Sequence, residues 1–396
     1  MTDSNDRILS IDIMRGLTLF LMLFVNDLYN PGAPEWIVHT KAQDDGMGLA
    51  DWVFPGFLFM VGLSIPFAFK ARKSEEKSTS QLLVHILIRT FSLLFIGVFL
   101  MNRFSINEEL TGLNQNLWAI LAYLSVFLVW NNYPKDSSSN RPYHYLKYVG
   151  VLGLILLAVI FRSGEINNPG WMSIGWWGIL GLIGWGYFVS ATTYLIFKDR
   201  IIAIVLAWLF FILLNVLSQN SLLDFLDPLI PIFGVIISGN VPSIVLSGLL
   251  IGTLLMRHKE DHKRFLILCL GVGIICIIAG FVLRNWFIIS KIMGTPSWAM
   301  LCNGLSMILF GLLFYILDIK KWKVWSKLFL PAGQNSLTTY LAPDIIYFSI
   351  WLSGASILFY KQADHAWLAI VGSLIWASAM IGFAALLARL KIRLKL

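Results

Sequence analysis

Apolar runs of roughly 17 to 25 residues, the length that crosses a hydrocarbon layer as an α-helix, recur from one end of this chain to the other. Backbone placed in lipid must satisfy its own N–H and C=O groups, which a helix does within a single segment. The expectation is therefore an all-α fold, a polytopic integral membrane helix bundle of about 10–12 transmembrane helices forming one domain over residues 1–396. The runs lie at 8–28, 51–71, 82–101, 115–130, 145–161, 175–197, 201–217, 241–256, 265–283, 298–317, 335–352 and 367–388. A mean hydropathy of +0.75 with only 13% charged residues leaves no soluble domain of useful size.

The net charge of +8 does not point to nucleic acid, because the basic residues form no patch with interleaved aromatics. They fall in alternate connections: Lys70, Arg72, Lys73 and Lys77; Lys135, Arg141 and Lys147; Lys198 and Arg200; Arg257, Lys259, Lys263 and Arg264; Lys320, Lys321, Lys323 and Lys327. The opposite connections hold only Lys41, Arg103, Arg162, Arg284, Lys291 and Lys361, usually beside acids. The positive-inside bias then places both termini in the cytoplasm, and Arg389, Lys391, Arg393 and Lys395 in the C-terminal tail agree. Cys269, Cys276 and Cys302 all lie in apolar runs and read as buried free thiols. Arg7 precedes the first run as in a signal peptide, but Asp12 and Arg15 interrupt that run and no small-residue cleavage site follows, so it is expected to persist as a helix. Residues 137–142 read as a cytoplasmic tether, and the half-apolar connection 218–240 as interface packing ahead of a lid.

The first two runs and their polar loop spend polar groups freely. Asp12 and Arg15 share one face of the first helix, and Asn26 returns to nearly the same direction. Burying that stripe against lipid is expensive, so it faces other helices or a water-filled cavity. Arg89 lies in the third run at a depth similar to Arg15, roughly 10 Å in from the cytoplasmic end at helical rise. Two cations at one depth suit an anionic group such as a phosphate, and an ion pair of either with Asp12 would serve packing alone. Five of the six histidines sit at helix starts or in a basic loop, whereas His39 shares an outer loop with Asp44 and Asp45, between helix ends carrying Asn26 and Asp51. A neutral imidazole there can remove a proton or attack a carbonyl.

Two later stretches complete the constellation. In SKIMGTPSWAML, Lys291 belongs to the outer loop, Thr295 is placed as N-cap, Pro296 as first helical residue, and Ser297 and Trp298 follow; the ring of Trp298 could carry a sugar face. In FLPAGQNSLTTYL, Gly333, Asn335 and Ser336 open the eleventh run, where backbone N–H groups and the helix dipole favour anions. His39, Asp44, Asp45 and Asp51 lack a recognisable metal-ligand spacing, so no metal is assigned.

DIMRG, Val25–Asn26, His39, ADWVFPGFLFMVG, ISK…TPSW and PAGQNSLTTY together resemble the membrane-embedded heparan-α-glucosaminide N-acetyltransferase family. The resemblance is strong through residue 70 and again over 289–343; the middle matches only in apolar character. It implies an integral protein of a bacterial inner membrane that moves an acetyl group from cytoplasmic acetyl-CoA to the amino group of a glucosamine-type sugar or glycan outside. Its active-site histidine and asparagine correspond to His39 and Asn26, although the interval from His39 to Asp51 is longer here than in the mammalian pattern. Asp51, Ser297, Trp298 and Lys291 then face the acceptor, while Asp12, Arg15, Arg89, Gly333, Asn335 and Ser336 face acetyl-CoA. The chain's partners are accordingly the two substrates and the lipid bilayer, with a homodimer admitted. An amino-sugar permease and an O-acetyltransferase of a surface glycan are the alternatives; the first predicts broken helices and paired repeats.

Overall fold

The structure is a computed structural model that describes residues 8–73, 78–134 and 141–396. Lys77, Lys135 and most of the 137–142 tether lie outside the described residues. The helices run in order α1 (Leu9–Asp27), α2 (Leu49–Lys73), α3 (Thr79–Asn102), α4 (Glu108–Thr111), α5 (Gln115–Trp130), α6 (Arg141–Ile160), α7 (Gly178–Phe197), α8 (Ile201–Gln219), α9 (Ile230–Ile237), α10 (Asn240–Arg257), α11 (His262–Leu283), α12 (Pro296–Phe314), α13 (Leu330–Gln334), α14 (Ser336–Ser353) and α15 (Ala366–Arg389). A small hairpin of β1 (Ser163–Glu165) and β2 (Asn168–Gly170) sits between α6 and α7.

Among the described residues, ten helices are long and apolar enough to cross a membrane, and the molecule is a polytopic helical membrane protein. Every expected run is helical, but two fall outside that set for different reasons. The 16-residue α5 is short. The 18-residue α14 has the length but carries Thr338, Thr339 and Asp344 within it. The 218–240 connection is itself partly helical, with a 3₁₀ turn at Asp224–Leu229 leading into α9.

Helix α1 is central, packing on α2, α12, α13, α14 and α15. Its buried Ser10, Asp12, Thr18 and Asp27 explain why: polar groups in a membrane helix must turn toward other protein. The amide groups at its start, which no intrahelical carbonyl can satisfy, donate to the carboxylate of Asp318, from Leu9 at 2.9 Å and Ser10 at 3.0 Å. Close helix contact comes from glycine. A Cβ on Gly333 would lie 1.9 Å from Asp12 O, and one on Gly16 would lie 2.0 Å from Phe329 O, so α1 and α13 meet backbone to backbone. The same device joins α2 to α10, where a Cβ on Gly62 would reach Val245 O at 1.8 Å and one on Gly248 would reach Phe59 O at 1.9 Å. The C-terminal tail folds back across the bundle, with Leu394 N donating to Thr338 Oγ1 at 2.9 Å and Lys395 N to Trp130 O at 2.9 Å.

Candidate functional site

At the end of the bundle where α1 finishes and α2 begins, His39 and Asp51 form a hydrogen-bonded pair. The His39 Nδ1 atom lies 2.7 Å from Asp51 Oδ1. A carboxylate only accepts, so Nδ1 carries the proton and Nε2 of the neutral ring keeps its lone pair. Asp51 is fully buried, and its other oxygen accepts from Thr40 N at 3.1 Å, Thr40 Oγ1 at 2.9 Å and Gly48 N at 3.0 Å. The His39 side chain is 42% exposed. A buried, fully satisfied carboxylate thus orients an accessible imidazole, the arrangement that supports general-base or nucleophilic chemistry.

The connection between α11 and α12 backs this pair. Lys291 Nζ lies 3.3 Å from His39 Nδ1 and donates to Ala50 O at 3.3 Å. Burial pushes its ammonium below the ordinary lysine value, against the opposing pull of Asp51. Trp298 donates from its indole nitrogen to Asp51 O at 3.2 Å and is buried, so the exposed sugar platform expected of it is instead part of the wall behind the dyad. Ser297 is also buried and donates to Ile288 O at 2.8 Å. Thr295 occupies the N-cap position but makes no side-chain cap; its hydroxyl accepts from Ser290 N at 3.1 Å instead. Asp45 pins the His39 loop to this connection, accepting from Ile289 N at 2.8 Å and Arg284 Nε at 2.8 Å. The Ile289 amide, with the Arg284 guanidinium, holds the Asp45 carboxyl below the usual range in spite of its partial desolvation.

Asn26 is exposed and lines a cavity of about 560 Å³ between the ends of α1, α3 and α7 and the body of α14. His39 is not among the lining residues. At the opposite end of α1, Arg15 donates to Gly333 O at 3.1 Å and to Ser64 Oγ, with Asp12 3.8 Å away. Ser336 Oγ donates to the same Gly333 carbonyl at 3.1 Å, and Asn335 Nδ2 to Pro331 O at 3.1 Å. Arg15, Asp12, Gly333, Asn335 and Ser336 are therefore neighbours. Arg89 belongs to another contact, its guanidinium stacked 4.6 Å from the Tyr187 ring centroid.

Similarity to known proteins runs along much of the chain. Residues 7–169 match a family described as "Domain of unknown function (DUF5009)". The chain is 26% identical over 385 residues, 87% of its length, to the heparan-alpha-glucosaminide N-acetyltransferase of Mus musculus, covering 54% of that protein. Over most of its length the chain is thus similar to that N-acetyltransferase. Against the heparan-alpha-glucosaminide N-acetyltransferase of Homo sapiens it is 38% identical over 96 residues, 24% of this chain and 14% of that one. The chain thus spans about half the length of the mouse relative it matches, and far less of the human one.

The cavity brings in residues that sequence reading passed over. Arg103 and Asp344 both line it, 3.8 Å apart, and Tyr123 donates to Asp344. Asp27 accepts from Lys361 at 2.8 Å and from the Tyr360 hydroxyl at 2.9 Å. A signal was available for Asp344 and Asp27, since an acid inside an apolar run marks a buried polar partner. Their partners lie far along the chain, where spacing arguments do not reach. Among the described residues, no group of three or more His, Cys, Asp or Glu side chains could hold a metal ion, and the three cysteines are buried and free.

Proposed function

We propose that this protein transfers an acetyl group from acetyl-CoA on the cytoplasmic side to the amino group of a glucosamine-type sugar on the other side of the membrane. The observation that carries the reading is the His39–Asp51 pair, an exposed imidazole oriented by a buried carboxylate, in a chain similar to heparan-alpha-glucosaminide N-acetyltransferases. The amine lone pair attacks the thioester carbonyl carbon, the C–S bond breaks as the C–N amide bond forms, and the amine proton passes to His39 Nε2 and on to the departing CoA thiolate. Asn26 is the donor to the developing oxyanion. The Lys291 ammonium beside the dyad adds a positive charge where negative charge develops. Both chain termini are cytoplasmic, and the place where Arg15 of α1 meets Gly333 and Ser336 receives the CoA phosphates, with Arg89 on the same side and Asp12 and Asn335 shaping the entrance. The first turn of α14 has no side-chain cap, which supports an anion there.

Purified protein supplied with acetyl-CoA and glucosamine is expected to release CoA thiol and form N-acetylglucosamine, and His39→Ala to lower kcat by about 10²- to 10⁴-fold. Sealed vesicles that take up labelled glucosamine without acetyl-CoA, alongside no acetyl product, would replace the enzyme with a permease.

A further inference from the structure

The cavity beside Asn26 is built as a site, yet of its lining residues the reaction above uses Asn26 alone. Its volume of about 560 Å³ is that of a small-molecule pocket. One wall is aromatic: Tyr347 stacks on Trp351 at 5.6 Å between ring centroids and tilts against Trp376 at 4.6 Å, and all three line the space. The facing wall is charged. Arg103 and Asp344 stand 3.8 Å apart, longer than a direct hydrogen bond, with side chains 25% and 30% exposed. Two lining residues carry buried polar atoms with no hydrogen-bond partner, Arg103 Nε and the Tyr347 hydroxyl. A buried polar group left unsatisfied is costly, and a partner that arrives with the ligand removes the cost. Lys361 sits at the rim, held by Asp27 at 2.8 Å and lying 5.0 Å from the Tyr347 ring centroid.

The geometry points to this cavity as the binding site of the acceptor, a ring-sized, hydroxyl-rich amino sugar. The aromatic wall takes the apolar face of the ring, the Arg103–Asp344 pair and the Tyr347 hydroxyl take its hydroxyl groups, and Asn26 stands where the ring meets the reacting end. An aromatic wall opposite paired charges is how protein binds a molecule with one apolar face and a polar edge. The assignment rests on the acetyltransferase reading for its acceptor and moves recognition away from Ser297 and Trp298, which are buried.

The test uses the full chain in detergent with glucosamine and acetyl-CoA varied separately. Tyr347→Phe and Asp344→Asn are each expected to raise the KM for glucosamine about three- to tenfold and to leave the KM for acetyl-CoA unchanged. Direct titration of glucosamine, followed by tryptophan fluorescence without acetyl-CoA, is expected to show the same weakening. Tyr347→Phe is the cleaner variant, because it removes a hydroxyl that has no partner within the protein and so does not threaten the fold. Glucosamine binding that both variants weaken, in a protein that never acetylates it, would keep the site and remove the acetyltransferase. Turnover with an unchanged glucosamine KM in both variants, a shift in the acetyl-CoA KM instead, or no glucosamine binding by the wild type would overturn the inference.

Discussion

His39 is held in place by what stands behind it. The imidazole is on a loop, but Asp51 opens a helix and is locked by three donors from Thr40 and Gly48, so the loop borrows the rigidity of α2. Asp51→Asn tests this. An amide offers one acceptor oxygen and brings an NH₂ group against existing donors, which releases the Nδ1 tautomer and loosens the loop. A fall in kcat of about 10²- to 10⁴-fold is expected, with little change in glucosamine KM. A change confined to KM would make Asp51 a substrate contact instead. Asp45 offers a test by pH. Its folded pKa is depressed, so the stability it contributes is present above the ordinary carboxylate pKa and is lost as pH falls through the lower folded value. The thermal midpoint of Asp45→Asn should lie below wild type at pH 7, and the gap should close on acidification below pH 3.8, the ordinary value. Of the residues in this region, Asn26 and Asp51 stood out in the sequence as polar groups at the ends of apolar runs, and His39 as the histidine of the polar loop between them. Lys291 was legible as an outer-loop cation, but its place beside His39 was not, because nothing local links the two loops.

The helices themselves were largely written in the apolar runs, and their pairing was written in small residues. Gly248 and Gly252 lie four apart on α10, on the face that meets α2, where Cβ atoms would strike Phe59 O at 1.9 Å and Leu63 O at 2.3 Å. Backbone atoms cannot yield as a flexible side chain can, so Gly248→Ala must separate the two helices. A loss of about 1–3 kcal/mol is expected, read as a lower thermal midpoint in detergent. An unchanged midpoint would show that α2 and α10 can slide apart at no cost. Helix α14 shows the converse. Its polar side chains lower its apolar signal, yet they find partners inside the protein, Asp344 accepting from Tyr123 on α5 and Thr338 from Leu394 N of the C-terminal tail.

Across the whole molecule the arrangement is directional, with Arg15 and Gly333 at one end of α1 and Asn26 and the His39 loop at the other. The three native cysteines are buried, so single exposed cysteines can report sidedness with little background. Lys395→Cys and Asp364→Cys flank α15 and are expected to react with a membrane-impermeant maleimide from opposite faces of sealed vesicles, Lys395→Cys from the cytoplasmic one. Labelling of both from one face would mean that α15 does not span. By itself the sequence determined the class of fold and the positions of nearly every helix, because helix length and the cost of burying charge in lipid act locally along the chain. Only the tertiary structure decided which polar groups meet. It set Lys291 beside His39, gave Trp298 to the wall instead of a surface, sent Arg89 to Tyr187, and closed Arg103, Asp344 and Tyr347 around one cavity. Each of those contacts joins distant segments, and the packing of the helices selects which distant segments become neighbours.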